Sequence, residues 1–126
     1  MMKKQLLKNS FLLFSVFILS ASCGGREWTK TDTALEAVWQ VGHVADWMQT
    51  RQVAKHPAQW EELNPILGKH PSVGKVDTYM LGAALAHYGI SYALPKEYRG
   101  IWQYISITVK YGVVGYNSAI GVSVKW

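Results

Sequence analysis

Apolar positions gather in three blocks after a short apolar leader, with turn-rich stretches between them. The first block, residues 33–54, reads TALEAVWQVGHVADWMQTRQVA and sets Leu35, Val38, Val41, Ala45 and Met48 at helical spacing. Thr33 and Glu36 fit a capping box at its start, and Pro57 stops it, because the residue before a proline avoids helical angles. The second block, residues 78–94, carries no formal charge. With Val76 and Asp77 it approaches the roughly 17 to 25 residues that a bilayer span requires, so a transmembrane helix is expected there. Gly82, Ala83 and Ala84 would let another helix approach closely, and Pro95 ends the segment.

The third block, residues 101–124, supports two periods. Ile105, Ile107 and Val109 alternate with Ser106, Thr108 and Lys110, and Ile120, Val122, Val124 and Trp126 repeat that alternation after a Tyr-Asn-Ser turn. Read helically, Trp102, Ile105, Val109, Val113 and Tyr116 form one stripe. A helix to about Asn117 with an extended tail is preferred, since an isolated hairpin is marginal in water; a C-terminal β-hairpin is the alternative. The expected fold is mainly α, a small bundle of about three apolar helices.

The N-terminus changes the frame. Lys3, Lys4 and Lys8 precede the apolar run at residues 11–19, and Ser20-Ala21-Ser22 leads to the only cysteine, Cys23. This is the layout of a secretory signal, too short for an ordinary span. The stretch Leu19-Ser20-Ala21-Ser22-Cys23 resembles the lipobox of bacterial lipoproteins, with Leu four rather than three residues before the Cys. That resemblance implies lipidation at Cys23. The chain then divides into a signal peptide at 1–22, a short tether at 23–32, and a membrane-associated helical domain at 33–126. Removing residues 1–22 leaves ten Lys and Arg against eight Asp and Glu, so the formal charge falls from +5 to +2. A nucleic-acid role loses its main support, since it would want a clustered basic face. The more basic connection, with Arg51, Lys55, Lys69 and Lys75, would lie in the cytoplasm, which favours the inner over the outer membrane of a bacterial envelope.

A few polar groups then need an explanation. His43, Asp46 and Thr50 share one face of the first helix with Trp39 and Val53, and His87 lies midway along the second. A buried polar cluster of His43, Asp46, Thr50 and His87 is expected, with Asp46 and His87 paired. It serves either as a structural link that fixes helix register or as a proton or ligand site. His56, Glu61, Glu62, His70 and Asp77 match no tight ligand spacing, so neither a metal nor a cofactor is expected. No nucleophile elbow or phosphate-cradling glycine loop occurs, so no catalytic residues are assigned and the chain is read as a non-enzyme. In the stretch EELNPILGKHPSVGKVDTY, residues 61–79, Glu62, Asn64, Pro65, Gly68 and Pro71 read as a fixed turn, with Ser72 as the next helix cap.

Residues 46–79 resemble a family of small bacterial and phage-associated proteins. Its pattern runs from an Asp-Trp-x-Gln-Thr helix through a Glu…Asn-Pro-Ile-Leu-Gly-x-His-Pro-Ser turn to Val-Asp-x-Tyr opening an apolar helix. The resemblance implies helices and membrane placement, matches Asp46, Gln49, Thr50, Glu62, Asn64 and Pro65, and supplies no activity. The expected function is a non-enzymatic envelope lipoprotein or integral membrane protein. Its expected partners are the lipid bilayer and a membrane-protein partner or a second copy of itself, with no nucleic acid. A phage spanin-like lysis lipoprotein is the alternative, weakened because residues 24–33 reach only about 33 to 36 Å when fully extended.

Overall fold

The computed structural model describes residues 27–126, so the signal segment, Cys23 and the first four residues of the tether, 23–26, lie outside the described residues. Three helices, α1 (Lys30–Lys55), α2 (Val73–Ala93) and α3 (Lys96–Ala119), make a small mainly-α bundle that is 71% helical. The chain runs along α1, returns along α2 and runs forward again along α3. α1 is the centre of the bundle, packing on both other helices, while α2 and α3 touch each other only sparsely.

Each helix end has a local cause. α1 starts four residues before the expected capping box: the Thr29 hydroxyl accepts from the Asp32 amide at 3.1 Å, and the Asp32 carboxylate accepts from the Thr29 amide at 2.8 Å. Thr29 and Asp32 win because Asp32 also meets a cation from α3, described below, whereas Glu36 is drawn inward. The last part of the expected tether is therefore helical. Ser72 caps α2 by accepting from the Lys75 amide at 3.2 Å. The 61–79 stretch closes as the sequence suggests. The Asn64 side chain accepts from the Ile66 amide at 3.0 Å, and Gly68 takes a φ of +79°, a left-handed conformation that favours glycine. Leu67 and Pro71 turn inward under the end of α1.

Residues 101–119 belong to one helix followed by a non-helical tail, and no strand forms among the described residues. The preferred reading of the third block therefore holds and the hairpin does not. Gln103, Ser106 and Lys110 decide the matter, because helical spacing brings all three toward α1 and α2, where each finds a partner.

The expected transmembrane helix is corrected: among the described residues no helix is long and apolar enough to cross a membrane. In α2 the tyrosines Tyr79, Tyr88 and Tyr92, with His87 and Ser91, dilute the apolar run that the absence of charge had suggested. The orientation argument from basic connections presupposed spans and falls with them.

Burial is inverted relative to an ordinary soluble bundle. Buried apolar side chains are few, with Leu67, Val76 and Met80 forming one cluster at the end that holds the 56–72 connection. The rest of the interior is largely polar: Asp32, Glu36, His43, Asp46, Gln49, Thr50, Gln52, His87, Ser91, Arg99 and Gln103 are all buried. The apolar stripe of α1 faces outward, with Val41 67% exposed, and so do Leu85 at 67% and Ile105 at 60%.

Candidate functional site

Buried charges are tolerable only when paired and hydrogen-bonded, so the interior resolves into discrete pairs along the α1 axis. At the first turn, Arg99 of α3 is 1% exposed. Its guanidinium donates to the Ser91 carbonyl at 2.8 Å, the Glu27 carbonyl at 2.8 Å, the Leu94 carbonyl at 3.0 Å and the Asp32 carboxylate at 3.0 Å. One side chain thus ties the start of α1 to the α2–α3 corner. Burial raises the Asp32 carboxyl, but the Thr29 amide and hydroxyl together with Arg99 outweigh it and hold it below its ordinary value.

One turn further along α1, His87 Nδ1 donates to the Glu36 carboxylate at 3.0 Å, and His87 Nε2 lies 2.8 Å from Ser106 Oγ. Burial pushes the Glu36 carboxyl up, yet the hydrogen bonds from His87 and Gln40 and the charge of His87 leave it lowered. The ring of His87 stacks on Trp39, centroids 3.7 Å apart and planes within 5°, and on Trp102 at 5.2 Å. Carboxylate, imidazole and hydroxyl stand in the order of a hydrolytic triad. The Ser106 hydroxyl also donates to the Gln103 carbonyl at 3.0 Å. Through Glu36, His87 and Ser106 the array links α1, α2 and α3.

Asp46 does not meet His87. Lys110 of α3 reaches it with Nζ 2.6 Å from Oδ2, and the Thr50 hydroxyl donates at 3.4 Å. The expected Asp46–His87 pair is corrected to two separate pairs, Glu36–His87 and Asp46–Lys110. The reason is spacing: Glu36 and Asp46 sit ten positions apart on α1, and the antiparallel α2 brings His87 level with the earlier one. His43 lies between them, stacked on Trp39 at 4.6 Å, and Nε2 donates to the Met80 carbonyl at 2.8 Å. Burial lowers the His43 imidazole below its ordinary value, the Met80 carbonyl opposing and Lys110 reinforcing it. The ring is thus neutral with Nδ1 as a buried acceptor that has no partner among the described residues. Farther down, Gln49 is fully buried and donates to Ser118 Oγ at 2.9 Å and the Val114 carbonyl at 3.2 Å, while Asn117 donates to its oxygen at 3.3 Å.

Beside this lower half, α2 and α3 diverge and leave a cavity of about 710 Å³. His43, Asp46 and Thr50 form its α1 wall, Lys110, Tyr116 and Asn117 its α3 wall, and Trp60, Glu62 and Asn64 its connection side. Glu62, read from the sequence as a turn residue, accepts from the Asn64 amide at 2.9 Å. Burial raises its carboxyl, the Asn64 amide opposes, and nearby Asp46 raises it further. Five side chains singled out by sequence, His43, Asp46, Thr50, Glu62 and Asn64, therefore share one cavity, while His87 stands apart from it. Pro65, Gly68 and Pro71 shape the connection that carries Glu62 and do not line the cavity. Glu36, Arg99, Gln103 and Lys110 were missed, although a charged residue inside an otherwise apolar helical stripe is a legible sign. Among the described residues no group of three His, Cys, Asp or Glu side chains could hold a metal ion.

Fold and interior define a class: a three-helix bundle with paired charges within and exposed charges confined to its two ends. Comparison with known proteins adds nothing more specific, since no family model, curated protein or solved structure matches the chain.

Proposed function

We propose that the protein is a non-enzymatic lipoprotein of a bacterial cell envelope, acylated at Cys23, whose bundle seats an uncharged outer girdle against lipid. The observation that carries this reading is the distribution of charge on the outside. Residues 31–50 of α1, 78–92 of α2 and 98–119 of α3 expose no charged side chain, because every charge in those stretches is turned inward. Exposed charges gather instead at the two ends, with Lys30, Lys96 and Glu97 at one and Lys55, Glu61, Lys69 and Lys75 at the other.

An exposed apolar surface of this extent normally marks a partner or a membrane. The girdle runs over all three helices, so one side of it can rest on a bilayer face while the bundle stays outside the hydrocarbon core. Its tyrosines, Tyr88, Tyr92, Tyr98, Tyr104, Tyr111 and Tyr116, are amphipathic side chains suited to the headgroup boundary. Lys30 lies seven positions beyond Cys23, at most about 25 Å of chain, so an acyl group at Cys23 would hold the bundle at the bilayer face. No helix need cross for this contact.

The test is vesicle flotation of the Cys23→Ala protein at high salt, where weak charge attraction is screened. Co-flotation with phospholipid vesicles is expected. If the Cys23→Ala form stays at the bottom of the gradient while the acylated form floats, the girdle is not a lipid surface.

A further inference from the structure

The cavity between the lower halves of α2 and α3 falls within the roughly 300 to 1,000 Å³ of small-molecule sites, and its walls are chemically unequal. Val53, Met80, Ala83, Val109, Val113 and Ile120 give it an apolar body. Asp46 is already neutralised by Lys110 at 2.6 Å. Glu62, half-buried, has no cationic partner among the described residues, since Lys69 and His70 both pair with Glu61 at the rim. His43, 2% exposed, keeps an unpartnered acceptor nitrogen in the same wall. Lys110, the cation in its α3 wall, is committed to Asp46, so Glu62 is the carboxylate left uncompensated there.

We propose that this cavity binds a primary ammonium group carried on an apolar body, with the ammonium against Glu62 and the hydrocarbon along the Met80–Val113 side. A carboxylate held in a partly dehydrated wall gains more from such a cation than one in water, because the same burial that disfavours its charge strengthens the pairing. Carboxylic acids are disfavoured by the uncompensated Glu62 carboxylate, and neutral alcohols would leave it unneutralised. The ammonium has two natural sources, a free alkylamine and the headgroup of an aminophospholipid.

Isothermal titration of the purified full-length mature protein in mild detergent, using hexylamine, hexanol and hexanoate, tests the proposal. Hexylamine is expected to bind at least tenfold more tightly than hexanol, with hexanoate weakest. Glu62→Gln should remove that tenfold preference while leaving hexanol unchanged, and Ala83→Phe, which fills the apolar end, should abolish binding of both; circular dichroism confirms that each variant keeps its helices. Displacement of hexylamine by dihexanoyl phosphatidylethanolamine, but not by the choline analogue that lacks N–H donors, assigns the headgroup as the source. Failure of both lipids to displace it assigns a free amine. Equal affinity for hexylamine and hexanol, or a preference untouched by Glu62→Gln, overturns the proposal.

Discussion

Replacing Arg99 by Met keeps the aliphatic stem and most of the volume of a fully buried side chain and deletes four hydrogen bonds. Three of the orphaned acceptors are backbone carbonyls, of Ser91, Glu27 and Leu94, and the fourth is the Asp32 carboxylate. Glu27 lies at the edge of the bundle and can turn to water; Ser91 is fully buried and cannot. Breaking a buried pair by removing one partner costs about 3 to 5 kcal/mol, because the other charge is left uncompensated. Small domains are stable by about 5 to 15 kcal/mol in total, so Arg99→Met should use up a large share of it. Urea unfolding followed by circular dichroism measures the loss as a shifted midpoint at unchanged slope. Arg99→Lys, which can keep one of the four bonds, should fall between. Adding Asp32→Asn to Arg99→Met should recover roughly 1 to 3 kcal/mol, since the stranded charge is gone. A loss below about 1 kcal/mol for Arg99→Met, or strict additivity with Asp32→Asn, would refute the claim that this guanidinium holds the helix corner together.

Two further outcomes follow from titration and one from packing. The folded state holds the Glu62 carboxyl above its ordinary value, so it takes up a proton more readily than the unfolded chain. Its contribution is full below the unfolded value near 4.5 and is lost as pH rises through the folded one; Glu62→Gln should therefore raise the urea midpoint at pH 7 and change it little at pH 4. His43 is lowered in the folded state, so only the unfolded chain gains its proton on acidification below about 6.5, and stability falls there; His43→Gln should flatten that part of the pH profile. At Gly42 an added Cβ would lie 2.7 Å from the Tyr111 ring, whose hydroxyl is held by the Val38 carbonyl at 2.8 Å. Gly42→Ala should cost about 1 to 3 kcal/mol despite the better helix propensity of alanine, read as a lower thermal midpoint.

The helices were legible because prolines 57, 71 and 95 punctuate the chain and the apolar blocks are long. Their inward face was legible only on α1, where His43, Asp46 and Thr50 repeat at three and four. The partners were not. Pairing Glu36 with His87 or Asp46 with Lys110 joins residues 51 and 64 apart, and the relative level of two helices is set by the length of the 56–72 connection rather than by any local signal. Lys110 was also hidden by the alternation of Ile105, Ile107 and Val109, which imitates a strand. The cavity owes its existence to the divergence of α2 from α3, a tertiary fact without a sequence signature.

The inverted interior carries a thermodynamic consequence. Unfolding raises heat capacity in proportion to apolar surface newly hydrated, and polar exposure lowers it. Here much of the apolar surface is on the outside before unfolding begins, and what opens is Arg99, Gln103, Gln49, Glu36 and Asp46. The bundle's stability should therefore vary with temperature along a flatter curve than that of an oily-cored domain of the same size, and be governed chiefly by hydrogen-bond enthalpy.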